Sequence, residues 1–122
     1  MNLTFRINSL YVCVKDIQRA IEFYEKLFGQ KITEKDEIYS VFDIHGFRFG
    51  LFANHKMNET KAWGNNCLPS FAVNDIDFIQ KRLEELNCPI VFPLTIIGEN
   101  RVLEFTDSEG NDIEITCPIS RA

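Results

Sequence analysis

The stretch LYVCVKDIQRAIEFYEKLFGQKI (residues 10–32) returns, loosely, as PSFAVNDIDFIQKRLEELNCPI (residues 69–90). In each copy an alternating run gives way to Asp-Ile and then to apolar residues at helical spacing. These are Ile17, Ile21, Tyr24 and Phe28 in the first copy, and Ile76, Ile79, Leu83 and Leu86 in the second. A period that switches from 2 to 3.6 marks a strand feeding an amphipathic helix. Asp16 and Asp75 stand at the switch, where a short acceptor side chain satisfies the free N–H groups of a first helical turn. The helices should end near Gly29 and Asn87. Self-similarity of this kind is the main organising signal in the chain.

The segments beyond the two helices repeat as well. VFDIHGFRFGLF (41–52) and EFTDSEGNDIEI (104–115) both place an acid three residues before a glycine and then continue as a strand. Asp43 to Gly46 and Asp107 to Gly110 read as hairpin turns in which glycine supplies a positive φ. Each half is therefore β-α-β-β-β, with module one over about residues 5–53 and module two over about 67–117. The polar segment NHKMNETKAWGNN (54–66), which carries the only tryptophan, Trp63, links them. A unit of about fifty residues buries too little surface to stand alone. The expectation is one α+β domain over residues 1–122, in which the two modules form one curved eight-stranded sheet.

Composition narrows the function classes. The chain has 122 residues, 45% hydrophobic and 25% charged, as an ordinary globular protein does. Its formal net charge of −5 argues against nucleic acid and anionic membrane partners and favours neutral or cationic ones. Eleven phenylalanines suggest an aromatic interior or cavity. No stretch approaches the ~18 apolar residues of a membrane span, and the N-terminus lacks the pattern of a signal peptide. The four cysteines, at 13, 67, 88 and 117, show no C-x-x-C spacing, so reduced thiols in a cytoplasmic protein are expected.

LYVCVKDIQRAIEFYEKLFG is similar to the first strand and helix of the vicinal oxygen chelate superfamily, and FTDSEGNDIEI (105–115) to its closing hairpin. That superfamily includes glyoxalase I, bleomycin-resistance proteins, fosfomycin-resistance enzymes and extradiol dioxygenases. The resemblance runs over roughly residues 5–117. It implies a cup-shaped sheet of two βαβββ modules, commonly in a homodimer, with the ligand on the concave face. In the enzymes of the superfamily it further implies a divalent metal held by His on a first strand and Glu on a last strand. Substrate oxygens then fill the open positions of that Lewis acid.

The register from each capping aspartate tests those positions. The metal-ligand positions of the family fall here on Ser9 and Leu68, seven residues before Asp16 and Asp75, and on Gly50 and Glu114, four residues past the turn glycines. Only Glu114 is a good ligand for a divalent cation, whereas such a site needs about three. No metal and no other cofactor is therefore expected. His45, in the hairpin turn, and His55, at the start of the linker, do not restore the set.

Alternation from Glu114 assigns the expected cup face. Ser9, Tyr11 and Cys13 come from the first strand, and Leu68, Ser70 and Ala72 from the first strand of module two. The hairpins should add Ser40, Phe42, Arg48, Phe52, Glu104 and Asp112. The ligand-binding set read this way is Glu114, Tyr11, Ser9, Arg48, Phe42, Phe52, Leu68, Ser70, Glu104 and Trp63, with no catalytic residue assigned. Each member has a plainer reading. Phenylalanines are mostly core, Arg48 can pair with a neighbouring acid, and Trp63 can cover a pocket or a dimer contact. Glu114 can serve a cationic ligand, pair with Arg48, Tyr11 or Ser9, act as a base or metal ligand, or be solvated.

Three functions compete. The leading one is a metal-free homodimer that sequesters a small organic molecule, with a cationic group favoured, in an aromatic cup. The second is a divalent-metal enzyme of the glyoxalase, dioxygenase or thiol-transferase type with an unconventional site, which leaves catalysis open. The third is a partner-binding regulatory module that works through residues 54–66 or the dimer surface.

Overall fold

The structure, a computed structural model, describes residues 3–4, 7–57 and 68–119. Strand β1 (Ser9–Cys13) leads into helix α1 (Ile17–Phe28), followed by β2 (Tyr39–Ile44), β3 (Phe47–Phe52) and one 3-10 turn at Asn54–Met57. Beyond the linker come β4 (Ser70–Ala72), α2 (Ile76–Glu85), β5 (Ile90–Ile97), β6 (Asn100–Thr106) and β7 (Asp112–Pro118). The helices begin where the capping aspartates place them. Asp16 Oδ1 accepts from the N–H of Arg19 at 3.1 Å, and Asp75 Oδ1 accepts from the N–H of Phe78 at 3.0 Å. Helix α1 stops at Gly29, whose φ of +68° gives the left-handed turn that an L side chain resists.

The two sheets have one topology. Their orders are β1-β3-β2 and β4-β7-β6-β5, so in each module the first strand lies beside the last and parallel to it, and the remaining pairs are antiparallel. The expected eight strands become seven among the described residues. In module one the strand that should come after α1 is reduced to a single bridge between Glu34 and Val41. Its sequence, ITEKDE at residues 32–37, has too few apolar residues for a longer strand.

One apolar core serves both modules. Tyr24, Phe42, Phe49 and Leu51 from the first and Ile76, Leu83, Phe105 and Ile113 from the second belong to the same buried cluster. The Phe71 ring of β4 lies tilted 5.2 Å from that of Phe28 and edge to face 5.3 Å from that of Phe49, ring centre to ring centre. Polar ties reinforce the contact. The Tyr24 hydroxyl donates to Asp107 Oδ2 at 2.5 Å, and the Asn111 amide donates to the Cys13 carbonyl at 2.9 Å. The helices cover one face of each sheet, and among the described residues no helix covers the opposite, open face.

Candidate binding site

On the open face of module one, strand register sets Ser9 opposite Arg48, Tyr11 opposite Gly50, and both Cys13 and Tyr39 opposite Phe52. Tyr11, Tyr39 and Phe52 form a cluster of rings packed edge to face. Centroids lie 5.9 Å apart for Tyr11–Tyr39, 5.3 Å for Tyr11–Phe52 and 6.3 Å for Tyr39–Phe52. Such geometry pairs the positive edge of one ring with the negative face of the next. Tyr11 remains 46% exposed, so the cluster presents an aromatic surface to solvent.

Gly50 makes this cluster possible. A Cβ built there would stand 2.6 Å from Tyr39 Cζ and 2.7 Å from Cε1, with the phenol oxygen nearer still. The outer end of the Tyr39 ring therefore lies directly over the Gly50 backbone, and a side chain there would require that ring to move.

The structure corrects two assignments in β2. Phe42, expected on the open face, is fully buried on the helix side, with ring contacts to Tyr24 and Phe28 at 6.3 and 5.2 Å. Ser40, also expected on the open face, is buried as well. It accepts from the Asp36 N–H at 2.9 Å and donates to the Asp36 carbonyl at 2.7 Å. The open-face members of β2 are Tyr39, Val41 and Asp43 instead, so Tyr39 is the site residue that sequence reading misses. The signal that could find it is Gly50, whose missing side chain leaves room for a large diagonal neighbour on the adjacent strand.

Arg48, on the open face opposite Ser9, does not pair with Glu114. It pairs with Glu34 through two hydrogen bonds, Nη1 to Oε2 at 2.5 Å and Nη2 to Oε1 at 3.1 Å. That bond holds the Glu34 carboxyl below the usual carboxylate range.

On module two the open face is polar. Glu114 lies opposite Ser70 on one side and Glu104 on the other. Ser70 Oγ donates to Glu114 Oε1 at 2.5 Å, a short charge-assisted bond. Glu114 is thus half-buried and held by Ser70 rather than by Ser9, Tyr11 or Arg48. Two carboxylates directly opposed across a ladder repel, which leaves this face receptive to positive charge. Leu68 and Ser70, with Leu10, Phe47, Phe49 and Phe71, line an apolar cavity of about 350 Å³ between the modules. Trp63 lies outside the described residues.

The donor set does not fit a divalent metal of the kind the resemblance implies. Ser9 is a weak ligand, Leu68 is none, and the Gly50 position is filled by the ring of Tyr39. Among the described residues no three His, Cys, Asp or Glu side chains converge as a metal site would require. His45 and His55 are both exposed, the first in the β2–β3 turn and the second in the 3-10 turn. A thiol nucleophile finds no support at Cys88, which burial, and then the charge of Asp107, push up to about 11.

A two-module α+β chain with a βαββ sheet beside a βαβββ sheet, the first strand of each parallel to its last, defines a class, and residues 6–115 match it: the chain belongs to the Glyoxalase/Bleomycin resistance protein/Dioxygenase superfamily. It is 25% identical over 117 residues to the metallothiol transferase FosB of Bacillus licheniformis, covering 93% of this chain and 76% of that protein. Among solved structures it is similar to the hypothetical protein SA1046 of S. aureus, with a TM-score of 0.77 and 20% identity over 93% of this chain and 94% of that one. A lactoylglutathione lyase from Agrobacterium tumefaciens has a TM-score of 0.74 and 18% identity over 95% and 96% of the two chains. At such identities the structural likeness speaks to the fold alone.

Proposed function

We propose that this protein binds a small organic molecule without a metal, holding its flat apolar part on the Tyr11–Tyr39–Phe52 face and a cationic group near Glu114 and Glu104. The observation that carries this reading is the Tyr39 ring laid over Gly50, which puts an aromatic surface where a ligating side chain would otherwise project. Aromatic faces attract cations as well as apolar surface, and the opposed carboxylates of the second module add to that preference. Ser70 fixes the Glu114 carboxylate in advance, so little order is lost when a ligand arrives.

The test uses phenyltrimethylammonium and its neutral isostere tert-butylbenzene as probes, with binding followed by NMR titration. Tyr39→Ala should weaken both. Glu114→Gln should leave the fold intact and weaken the cation by about 1.5–3 kcal/mol, the range for a charge-assisted bond, while changing the neutral probe far less. Equal losses for the two probes on Glu114→Gln would remove the electrostatic role.

The relation to a metallothiol transferase favours a second reading, a metal-dependent enzyme with an unconventional ligand set. Elemental analysis separates the two. Protein dialysed against zinc, nickel, manganese or iron(II) should retain no stoichiometric ion. One ion per chain, lost on Glu114→Ala, would establish the enzyme reading in its place.

A further inference from the structure

A second cavity, of about 590 Å³, lies on the helix side, where the end of α1, the β2–β3 turn, β4 and α2 come together. It adjoins the apolar cavity between the modules, sharing Phe71 with it, but takes neither the Tyr11–Tyr39–Phe52 rings nor Glu114 from the open-face site. We propose that this cavity binds an organic anion, a carboxylate or sulfonate carried on a flat apolar body, through Arg82.

Arg82 is singular among the four arginines described. Arg19, Arg48 and Arg101 pair with Glu109, Glu34 and Asp77, whereas Arg82 has no carboxylate partner among the described residues. Its Nη1 donates to the Leu27 carbonyl at 2.8 Å, in the last turn of α1. Its Cζ sits 5.0 Å from the centre of the Phe78 ring, itself 55% exposed. These contacts fix the guanidinium plane without neutralising it. A guanidinium has five N–H donors in a rigid fork, and one carbonyl engages only one of them. A half-buried cation already held in place loses little freedom on binding an anion.

The rest of the lining suits the apolar body. Phe28, Phe71, Ile79 and Ile115 belong to the core cluster or pack against it, and they supply aromatic and branched surface. His45, held at φ +50° in the turn, also lines the cavity. Asp75 is the one acid among the described lining residues. Its Oδ1 accepts from the Phe78 N–H as the helix cap, so it is engaged by the backbone. The volume lies within the range of small-ligand pockets, roughly 300–1,000 Å³.

The full-length protein is titrated with 1-anilinonaphthalene-8-sulfonate and, in parallel, with uncharged N-phenyl-1-naphthylamine, fluorescence being the readout. Arg82→Gln should weaken the sulfonate about tenfold or more and leave the neutral dye within about twofold. Arg82→Lys keeps the charge and should keep most of the sulfonate affinity. Because Arg82 ties α2 to α1, thermal melts of both variants establish that they are folded. In a Tyr39→Ala background, Arg82→Gln should still weaken the sulfonate by the same factor, which separates this site from the one on the open face. The inference is overturned if folded Arg82→Gln binds the sulfonate like the parent, if both dyes weaken equally, or if the Arg82→Gln loss disappears in the Tyr39→Ala background.

Discussion

At the scale of single residues, the close approach of Tyr39 to Gly50 makes a direct prediction. Gly50→Ala inserts a methyl group where the outer end of the ring lies, so the ring must shift, at a cost no greater than the ~1–3 kcal/mol of core overpacking. Urea denaturation should record that loss, and the double variant Gly50→Ala, Tyr39→Ala should lose less than the sum of the two single changes. Additive losses would mean that the ring moves aside freely. Phe42 makes the complementary case. As a fully buried core ring, Phe42→Ala should cost about 3–5 kcal/mol while leaving phenyltrimethylammonium affinity of the folded fraction unchanged. Sequence alone puts Phe42 on the wrong face for a physical reason. The run YSVFDI buries Val41 and Phe42 completely on opposite faces, so alternation carries no sign there and the register can be read either way. In NDIEIT the isoleucines are buried and the acids are not, so the face of Glu114 is legible from the pattern.

At the scale of elements, the β6–β7 turn does more than join two strands. Glu109, its side chain wholly buried, accepts from the N–H groups of Lys15 and Asp16, each at 2.9 Å, and pairs with Arg19 at 2.7 Å. A turn of module two thus anchors the start of the module-one helix. Burial pushes the Glu109 carboxyl up, but the Arg19 bond, the Asp16 and Lys15 N–H groups and Ser108 together hold it below its ordinary value of 4.5. A carboxyl depressed on folding stabilises the protein above its unfolded pKa and loses that contribution as pH falls through the folded one. Glu109→Gln should therefore cost about 1.5–3 kcal/mol at pH 7, nearer the lower figure because Arg19 is half exposed, and the gap to the parent should narrow as pH falls below 4.5. Asp107 runs the opposite way. Burial raises its pKa against the bonds from Tyr24, Asn111 and Glu109, so its contribution is present below 3.8 and is lost as pH rises through the raised value. Both proteins carry Asp107, so it cancels in the difference between their melting curves. A gap independent of pH would show that Glu109 acts by shape alone. The repeat, both caps and both hairpins are legible in the sequence because each rests on local chemistry. The role of Glu109 is not, because it joins residues more than ninety positions apart.

At the scale of the molecule, strand β5 is the exposed edge of the four-stranded sheet and is unusually apolar. Ile90, Val91, Ile96 and Ile97 are 48%, 48%, 66% and 52% exposed, and Ile119, just beyond β7 with its N–H on the Glu99 carbonyl of the β5–β6 turn, is 46% exposed. An open edge bearing such side chains invites strand pairing, and proteins that keep one normally cover it. Pro93 interrupts its hydrogen-bonding capacity, and the register shifts between Ile90 and Thr95 bend it, so extended edge-to-edge growth is disfavoured. A closed two-fold contact satisfies both conditions, because it buries the isoleucines of both copies and leaves no edge to propagate. The expected state is a homodimer, with light scattering at micromolar concentration giving twice the 14.2 kDa chain mass. Ile96→Asp places a charge at the most exposed of the four positions and, being at the surface, should leave the melting of the isolated chain nearly unchanged while shifting the mass to that of one chain. A monomer in the parent protein would remove the premise that β5 needs a cover. A dimer that survives Ile96→Asp would move the interface elsewhere, and the open sheet faces would then be the next surface to substitute.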